Sequence, residues 1–412
     1  MTAFARRDGI LECEGVPLDA LADTHGTPLY VYSAAALVAG YEAYARAFAP
    51  VPHRICYALK ANSCGALLRL LAARGAGADI VSGGELLAAL RAGFPPERIV
   101  FSGVGKTDAE IRLGIEKGIG EWNAESEEEI ERVSRAAAAA GCTARITLRV
   151  NPDIDPRSHP YISTGLHTNK FGVEIQRAVE ILERARRLPA VAVTGVQCHI
   201  GSQVQDLGAL EEAAHAIAAL GRELLSRGFA LETVDVGGGL GVDYEGEAGP
   251  TPADLAARVL PAVAPLGLPV LLEPGRSIVA RAGVLLTRVL HVKENARKRF
   301  VIVDAGMNDL LRPALYEAFH RIEPVRETGA APRPVDVVGP VCESGDFLAR
   351  ERLLTAVGPG ELLAVRDTGA YGFCMSSNYN LRPRAAEVLV EAGRPRLVRR
   401  RESFEDLVRT EL

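Results

Sequence analysis

The chain has 412 residues, 48% hydrophobic and 24% charged, which suits two globular domains with sizeable cores. A formal net charge of −5 and an isoelectric point near 6.0 give no electrostatic case for a nucleic-acid partner or an anionic membrane. Seven cysteines (13, 56, 64, 142, 198, 342 and 374) are odd in number and contain no CxxC; this argues for reduced thiols in a cytoplasmic chain, against a disulfide framework and against a metal site.

The first residues, MTAFARRDG, carry charges and no apolar core, so they are no secretory signal. GILECEGVPLDALADTHGTPLYVYS, from Gly9, is partly strand-like. From about residue 54 to 276, short β-rich runs alternate with helical stretches. The runs are RICYALK, GADIVS, RIVFSG, GEWNAES, ARITLRVN, VTGVQCHIGS, ETVDVGGG and PVLLEPGR. Between them lie segments such as SEEEIERVSRAAAAAG, whose apolar residues recur at helical spacing. Eight strand-then-helix units predict an α/β fold with a parallel (β/α)8 barrel of the TIM type, although a doubly wound open sheet gives a similar alternation. The stretch Leu260 to Leu290 is the most apolar, but prolines, Glu273, Arg276 and Arg281 interrupt it and it cannot span a bilayer.

After Arg276 the runs GVLLTRVLHVKE, RFVIVDAG, VDVVGPVC and ELLAVRD alternate or stay apolar, with Gly and Pro between them. They predict a mainly antiparallel β-domain. The expected organisation is a barrel over 35–277 and a discontinuous β-domain made of 1–34 and 278–412. The tail from Leu397 reads as a strand and a short helix with Phe404, Leu407 and Val408 on one face. The segment 151–172, NPDIDPRSHPYISTGLHTNKFG, follows barrel strand five and reads as a lid over the mouth.

Polar residues collect at or just past the strand ends: Lys60, Asp79, Asn151, His199, Ser202, the glycines from 237, and Glu273 with Arg276. In a barrel those ends converge on the mouth where chemistry occurs. A lysine on rigid backbone can form a Schiff base with a carbonyl. GGGLG (Gly237, Gly238 and Gly239 leading) reads as a plain tight turn or, from its place after strand seven, as a run whose backbone amides approach a phosphate; it lacks the Gly at 242 that a dinucleotide fingerprint requires. GVGKT, from Gly103, resembles the end of a P-loop, but Val100 stands where that motif needs Gly, so it reads as a barrel loop. In HIGSQ, His199 reads equally as a satisfied core group; with a flat aromatic cofactor in the mouth it would stack on the ring and Ser202 would bind the phosphate. Glu273, after the apolar Pro269 to Leu272, needs a partner such as a protonated pyridine nitrogen. Arg312 and Tyr316, four apart, share a helical face and suit a carboxylate, with an ordinary amphipathic segment the plain alternative. Cys342 in CESGD lies beside Glu343 and Asp346 in a Gly-containing turn, and GAYG leaves Tyr371 in a flexible context.

YALKAN, DIVSGGEL, HPYISTGLHTNKFG, HIGSQ, GGGLG, EPGR, MNDLLRPALYEA, CESGD and GAYG occur in this order along nearly the whole chain. Together they resemble the diaminopimelate decarboxylases, among the alanine-racemase-like, fold-type III decarboxylases that use pyridoxal 5'-phosphate (PLP). The resemblance implies a barrel plus β-domain and a homodimer whose active sites lie at the interface. It implies decarboxylation of meso-2,6-diaminopimelate to L-lysine and CO2, the last step of lysine biosynthesis. Lys60 would be the Schiff-base lysine, and Cys342, from the other subunit, the proton donor. Gly239, the segment Glu273, Pro274, Gly275 and Arg276, and Tyr371 would contact the cofactor, joined by Asp79, His199, Ser202, Gly237 and Gly238. Arg276, Arg312, Tyr316, Glu343 and Tyr371 would bind substrate. Trp122 departs from the smaller aliphatic residue expected in strand four, and Cys64 follows YALKANS. The rival readings are an ornithine- or arginine-type decarboxylase, whose substrates end in a cation alone, an amino-acid racemase, and a catalytically silent decarboxylase-like binding protein.

Overall fold

The structure, a computed structural model, describes residues 3–155, 170–246 and 249–412. The lid reading of 151–172 rests mainly on 156–169, outside the described residues. The chain divides into two compact units, Gly40–Val242 with Ala248–Ser277, and Met1–Ala39 with Asp243–Glu247 and Ile278–Leu412.

In the first unit eight parallel strands close into a barrel. They are β1 (His53–Ala58), β2 (Gly77–Ile80), β3 (Ile99–Phe101), β4 (Glu121–Ala124), β5 (Ala144–Asn151), β6 (Val191–Cys198), β7 (Thr233–Asp235) and β8 (Val270–Leu272). Each pairs with the next in chain order, and β8 returns to β1 through Val270–His53, Leu271–Arg54 and Leu272–Ile55. Closure excludes the open-sheet alternative. The eighth unit departs from the expected repeat: β8 is followed only by the four-residue helix Arg276–Val279.

Local chemistry sets the helix ends. Helix Glu127–Ala140 starts where the Ser126 hydroxyl accepts from the Glu129 N–H at 3.1 Å, carries Glu127, Glu128 and Glu129 in its first turn, and stops at Gly141 in a left-handed conformation. Helix Pro252–Val263 has a Thr251–Asp254 capping box and Pro252 at its first position. Trp122 is fully buried in β4 and stacks on Phe101 with ring centroids 5.5 Å apart. Its bulk fits because Gly114 faces it from the helix Asp108–Lys117; a Cβ there would lie 2.5 Å from the indole. Large and small residues have thus been exchanged across one contact.

In the second unit, strand Leu29–Ser33 lies between Gly283–Glu294, antiparallel to it, and Ala386–Glu391, parallel to it. Most other pairings are antiparallel, with Arg299–Val303 and Pro332–Val338 a parallel exception. Leu29 and Val31 face a core with Val284, Leu286, Val388 and Val390. On the alternate positions Tyr30 and Tyr32 stack, and the Tyr32 hydroxyl donates to Glu387 at 2.7 Å. Both faces of the strand are therefore buried, consistent with its unbroken apolar run. The tail forms strand Arg394–Arg399 and helix Phe404–Val408, on which Phe404 and Val408 are exposed. Among the described residues no helix is long and apolar enough to cross a membrane.

Candidate active site

Lys60 lies just past β1 in the single turn Leu59–Ala61, and its Nζ donates to Asp79 at the end of β2 at 2.8 Å. Asp79 is fully buried while the lysine side chain is 36% exposed, so the amine reaches solvent from a fixed anchor. Gly275 packs on this turn: a Cβ there would come within 2.9 Å of Ala61. Glu85 caps the Val81 N–H at 2.8 Å, and burial pushes its carboxyl up to about 7 against the pull of Lys60.

Glu273 follows β8 and is buried. Asn123 Nδ2 donates to its Oε1 at 2.7 Å, with the Ser102 hydroxyl at 3.4 Å, and Gln197 Nε2 donates to its Oε2 at 2.8 Å. Burial and the charge of Asp79 push the Glu273 carboxyl up to about 7; Lys60, Asp235 and Arg149 oppose the shift. A buried carboxylate oriented by side chains from β4 and β6 and from the residue just past β3 is built to meet a cation.

His199 follows β6. The Gly238 N–H donates to its Nδ1 at 3.2 Å, which leaves the ring proton on Nε2. Burial, reinforced by Arg149 and Lys60, holds its pKa well below the usual range, so the ring is a neutral flat surface. Arg149 itself pairs with buried Glu125 at 2.8 Å. Arg276 donates to the Ser202 hydroxyl through Nη2 at 2.9 Å. Gly237 and Gly239 have φ of +67° and +105°. A Cβ on Gly237, Gly238 or Gly239 would collide with the carbonyl oxygen of Cys198, Glu273 or Gly201. The glycine run thus ties the ends of β6, β7 and β8 together. GVGKT forms a barrel loop whose Lys106 is buried against Glu129.

The remaining expected residues lie in the second unit. Buried Arg312 opens the short helix Arg312–Tyr316 and donates to His320 Nε2 at 2.7 Å, while His320 Nδ1 meets the Arg366 carbonyl at 2.8 Å. Its guanidinium lies 4.4 Å from the Tyr244 ring centroid, and Tyr244 packs edge-on against His320. Tyr316 is half-buried four residues on. Cys342 is exposed, so it is no part of the core, and its N–H donates to Asn380 at 2.8 Å. Glu343 is exposed beside it, and Asp346 ties the turn by accepting the Met307 and Val341 N–H groups, each at 2.6 Å. Tyr371 has φ of +55°. Its glycine neighbours are not loose, contrary to the sequence expectation: a Cβ on Gly369 would strike the Val279 carbonyl, and one on Gly372 the Thr368 carbonyl. Close packing, not mobility, explains those glycines.

Sequence reasoning missed Ser102, Asn123, Gln197 and Asp235 in the barrel, and Tyr244 and His320 around Arg312. A signal existed for the barrel set. Glu121 with Asn123, and Thr233 with Asp235, put polar side chains at alternate positions of otherwise buried strands, which marks the inward face. Nothing in the sequence links Tyr244 to Arg312.

Residues 34–280 match the model of the pyridoxal-dependent decarboxylase pyridoxal binding domain. The diaminopimelate decarboxylase of Pseudomonas aeruginosa is 51% identical over 407 residues, 99% of this chain and 98% of that relative. The diaminopimelate decarboxylase of Aquifex aeolicus is 48% identical, covering 98% and 96%. The solved diaminopimelate decarboxylase of Helicobacter pylori complexed with L-lysine is 45% identical with a TM-score of 0.92, covering 96% of this chain and 99% of that one. At this identity over nearly full length, the chain belongs to the diaminopimelate decarboxylase family of pyridoxal-dependent decarboxylases.

Proposed function

We propose that the chain removes CO2 from meso-2,6-diaminopimelate to give L-lysine, using PLP, as the last step of lysine biosynthesis. The observation that carries this reading is the near full-length likeness to diaminopimelate decarboxylases, one of them solved with L-lysine. The residues present fit the cofactor: a strand-end amine anchored on Asp79, a buried carboxylate with three side-chain donors, and a neutral imidazole in one barrel unit. Lys60 would hold the aldehyde carbon, Glu273 the protonated ring nitrogen, and His199 the ring face. Ser202, Gly237, Gly238 and Gly239 would hold the phosphate, with Pro274, Gly275, Arg276 and Tyr371 completing the cradle. When bound, PLP supplies an electron sink for the carbon–carboxylate bond.

Specificity lies at the distal end of the substrate, itself an amino acid. Arg276 and Arg312 bind its carboxylate with Tyr316 and Tyr371, and Glu343 binds its ammonium. These arginines disfavour ornithine and arginine, which end in a cation. Cys342 delivers the proton to the α-carbon from the second subunit of a cytoplasmic homodimer. The test is CO2 release by PLP-loaded protein from meso-diaminopimelate, ornithine and arginine. Release from diaminopimelate with lysine as product is expected. Preference for ornithine or arginine would overturn the distal-site assignment, and a colourless protein that releases no CO2 would overturn the enzyme reading.

A further inference from the structure

Glu273 has a second carboxyl as neighbour. Asp235 ends β7 and pairs in register with Leu271 of β8, two residues before Glu273. Side chains two apart on a strand share a face, so Asp235 and Glu273 both point into the barrel from adjacent strands. Asp235 is 1% exposed. Its Oδ1 accepts the Gly237 N–H at 2.7 Å; its Oδ2 is buried and meets no donor among the described residues. The register sets the Glu273 carboxyl in contact range beside it, on the same inward face of the neighbouring strand. Two carboxylates make that contact only when one carries a proton.

The surroundings decide which one. Glu273 receives Asn123, Ser102 and Gln197, and Lys60 and Arg149 add positive charge. Asp235 receives one backbone N–H and faces Glu121 and Glu273, with the thiols of Cys56 and Cys198 nearby and Asp79 beyond Glu273. Burial and the neighbouring Glu273 charge push the Asp235 carboxyl well above its ordinary range. With three side-chain donors on Glu273 against one backbone N–H on Asp235, these surroundings favour the proton on Asp235.

We propose that Asp235 is a positioning residue for Glu273: it stays a neutral acid, donates its proton to the Glu273 carboxylate, and keeps Glu273 the charged member of the pair. The proposal deepens the PLP reading and rests on it for its consequence. A carboxylate in a dry site competes with a pyridine nitrogen for a proton. One more donor on Glu273 weakens that competition and leaves the proton on the ring, where it improves the electron sink.

Isotope-edited infrared spectroscopy on the full chain, cofactor-free and PLP-loaded, tests the shared proton. With Asp labelled at its carboxyl carbon and the solution at pH 8, a buried-acid C=O stretch is expected that shifts with the label and vanishes in Asp235→Asn. Its absence, or a shift only with labelled Glu, overturns the proposal. The second arm titrates the absorbance of bound PLP and measures kcat. Asp235→Ala removes the donor and is expected to move the titration midpoint by about one unit and lower kcat about 10-fold or more. Asp235→Asn, whose amide can still accept from Gly237 and donate to Glu273, is expected to restore most of both. Equal losses in the two variants, each shown to be folded by circular dichroism, would refute the role. The infrared arm needs no cofactor, so a chain that shows the band yet takes up no PLP would overturn the functional reading instead.

Discussion

Lys106 is buried with all three hydrogens of its amine group engaged. Its Nζ donates to the Gly103 carbonyl at 2.7 Å, the Asn123 carbonyl at 2.9 Å and Glu129 Oε1 at 2.6 Å, with the lysine side chain 1% exposed. Removing one partner of a buried pair strands the other charge. Lys106→Met is expected to cost about 3–5 kcal/mol in denaturant unfolding, and adding Glu129→Gln to recover a substantial part. A loss below about 1 kcal/mol would show that the pair is not held as described. Asp309 gives a pH-dependent counterpart. It is buried, accepts the Gly306 N–H at 3.0 Å, and burial pushes its carboxyl from 3.8 up to about 7 while Arg382 pulls it down. Between those values the folded chain holds a proton that the unfolded chain has released. Stability therefore falls as pH rises through this window, by at most about 1.4 kcal/mol per unit. In Asp309→Asn the Tm should fall less between pH 5 and pH 7.5 than in the wild type; parallel curves would remove Asp309 as a contributor.

At the scale of elements, the turn after β7 holds the ends of its neighbours in place. Gly238 abuts the Glu273 carbonyl, and the Glu273 N–H donates to the Gly237 carbonyl at 2.7 Å. A methyl group at 238 must push the end of β8 away and turn the Glu273 carboxyl from Asn123 and Gln197. Gly238→Ala is expected to weaken PLP binding about 10-fold or more, read by fluorescence titration, and to lower Tm by several degrees. Unchanged affinity would mean that the turn is compliant. The sequence made these elements readable because β-branched runs bounded by glycines, capped helices and strand-end polar residues are local signals. Lys60 with Asp79 and the GGGLG turn were found that way. The donors of Glu273 were not, since Ser102, Asn123 and Gln197 lie on or just past three other strands and converge only when the barrel closes. The clamp on Arg312 escaped for the same reason, with Tyr244 and His320 brought together by tertiary packing alone. GAYG misled because glycine marks close backbone approach as often as freedom.

At the scale of the whole molecule, the distribution of chemistry between the two units bears on assembly. The amine and carboxylate proposed to hold the cofactor lie in the barrel unit; Cys342, the proposed proton donor, lies exposed in the other. A homodimer in which each subunit lends Cys342 to its partner makes a prediction that a self-sufficient monomer cannot meet. Lys60→Ala and Cys342→Ala chains should each be inactive alone. Co-expressed and randomly paired, half the dimers are hybrids. In a hybrid, one site collects both lesions and the other combines an intact lysine with an intact thiol. Turnover should therefore return to about a quarter of the wild-type value, with visible PLP absorbance on the lysine-bearing subunits only. If Cys342 serves its own subunit, every hybrid site carries one lesion and no activity returns, so a null result would refute the shared site while leaving the barrel chemistry intact.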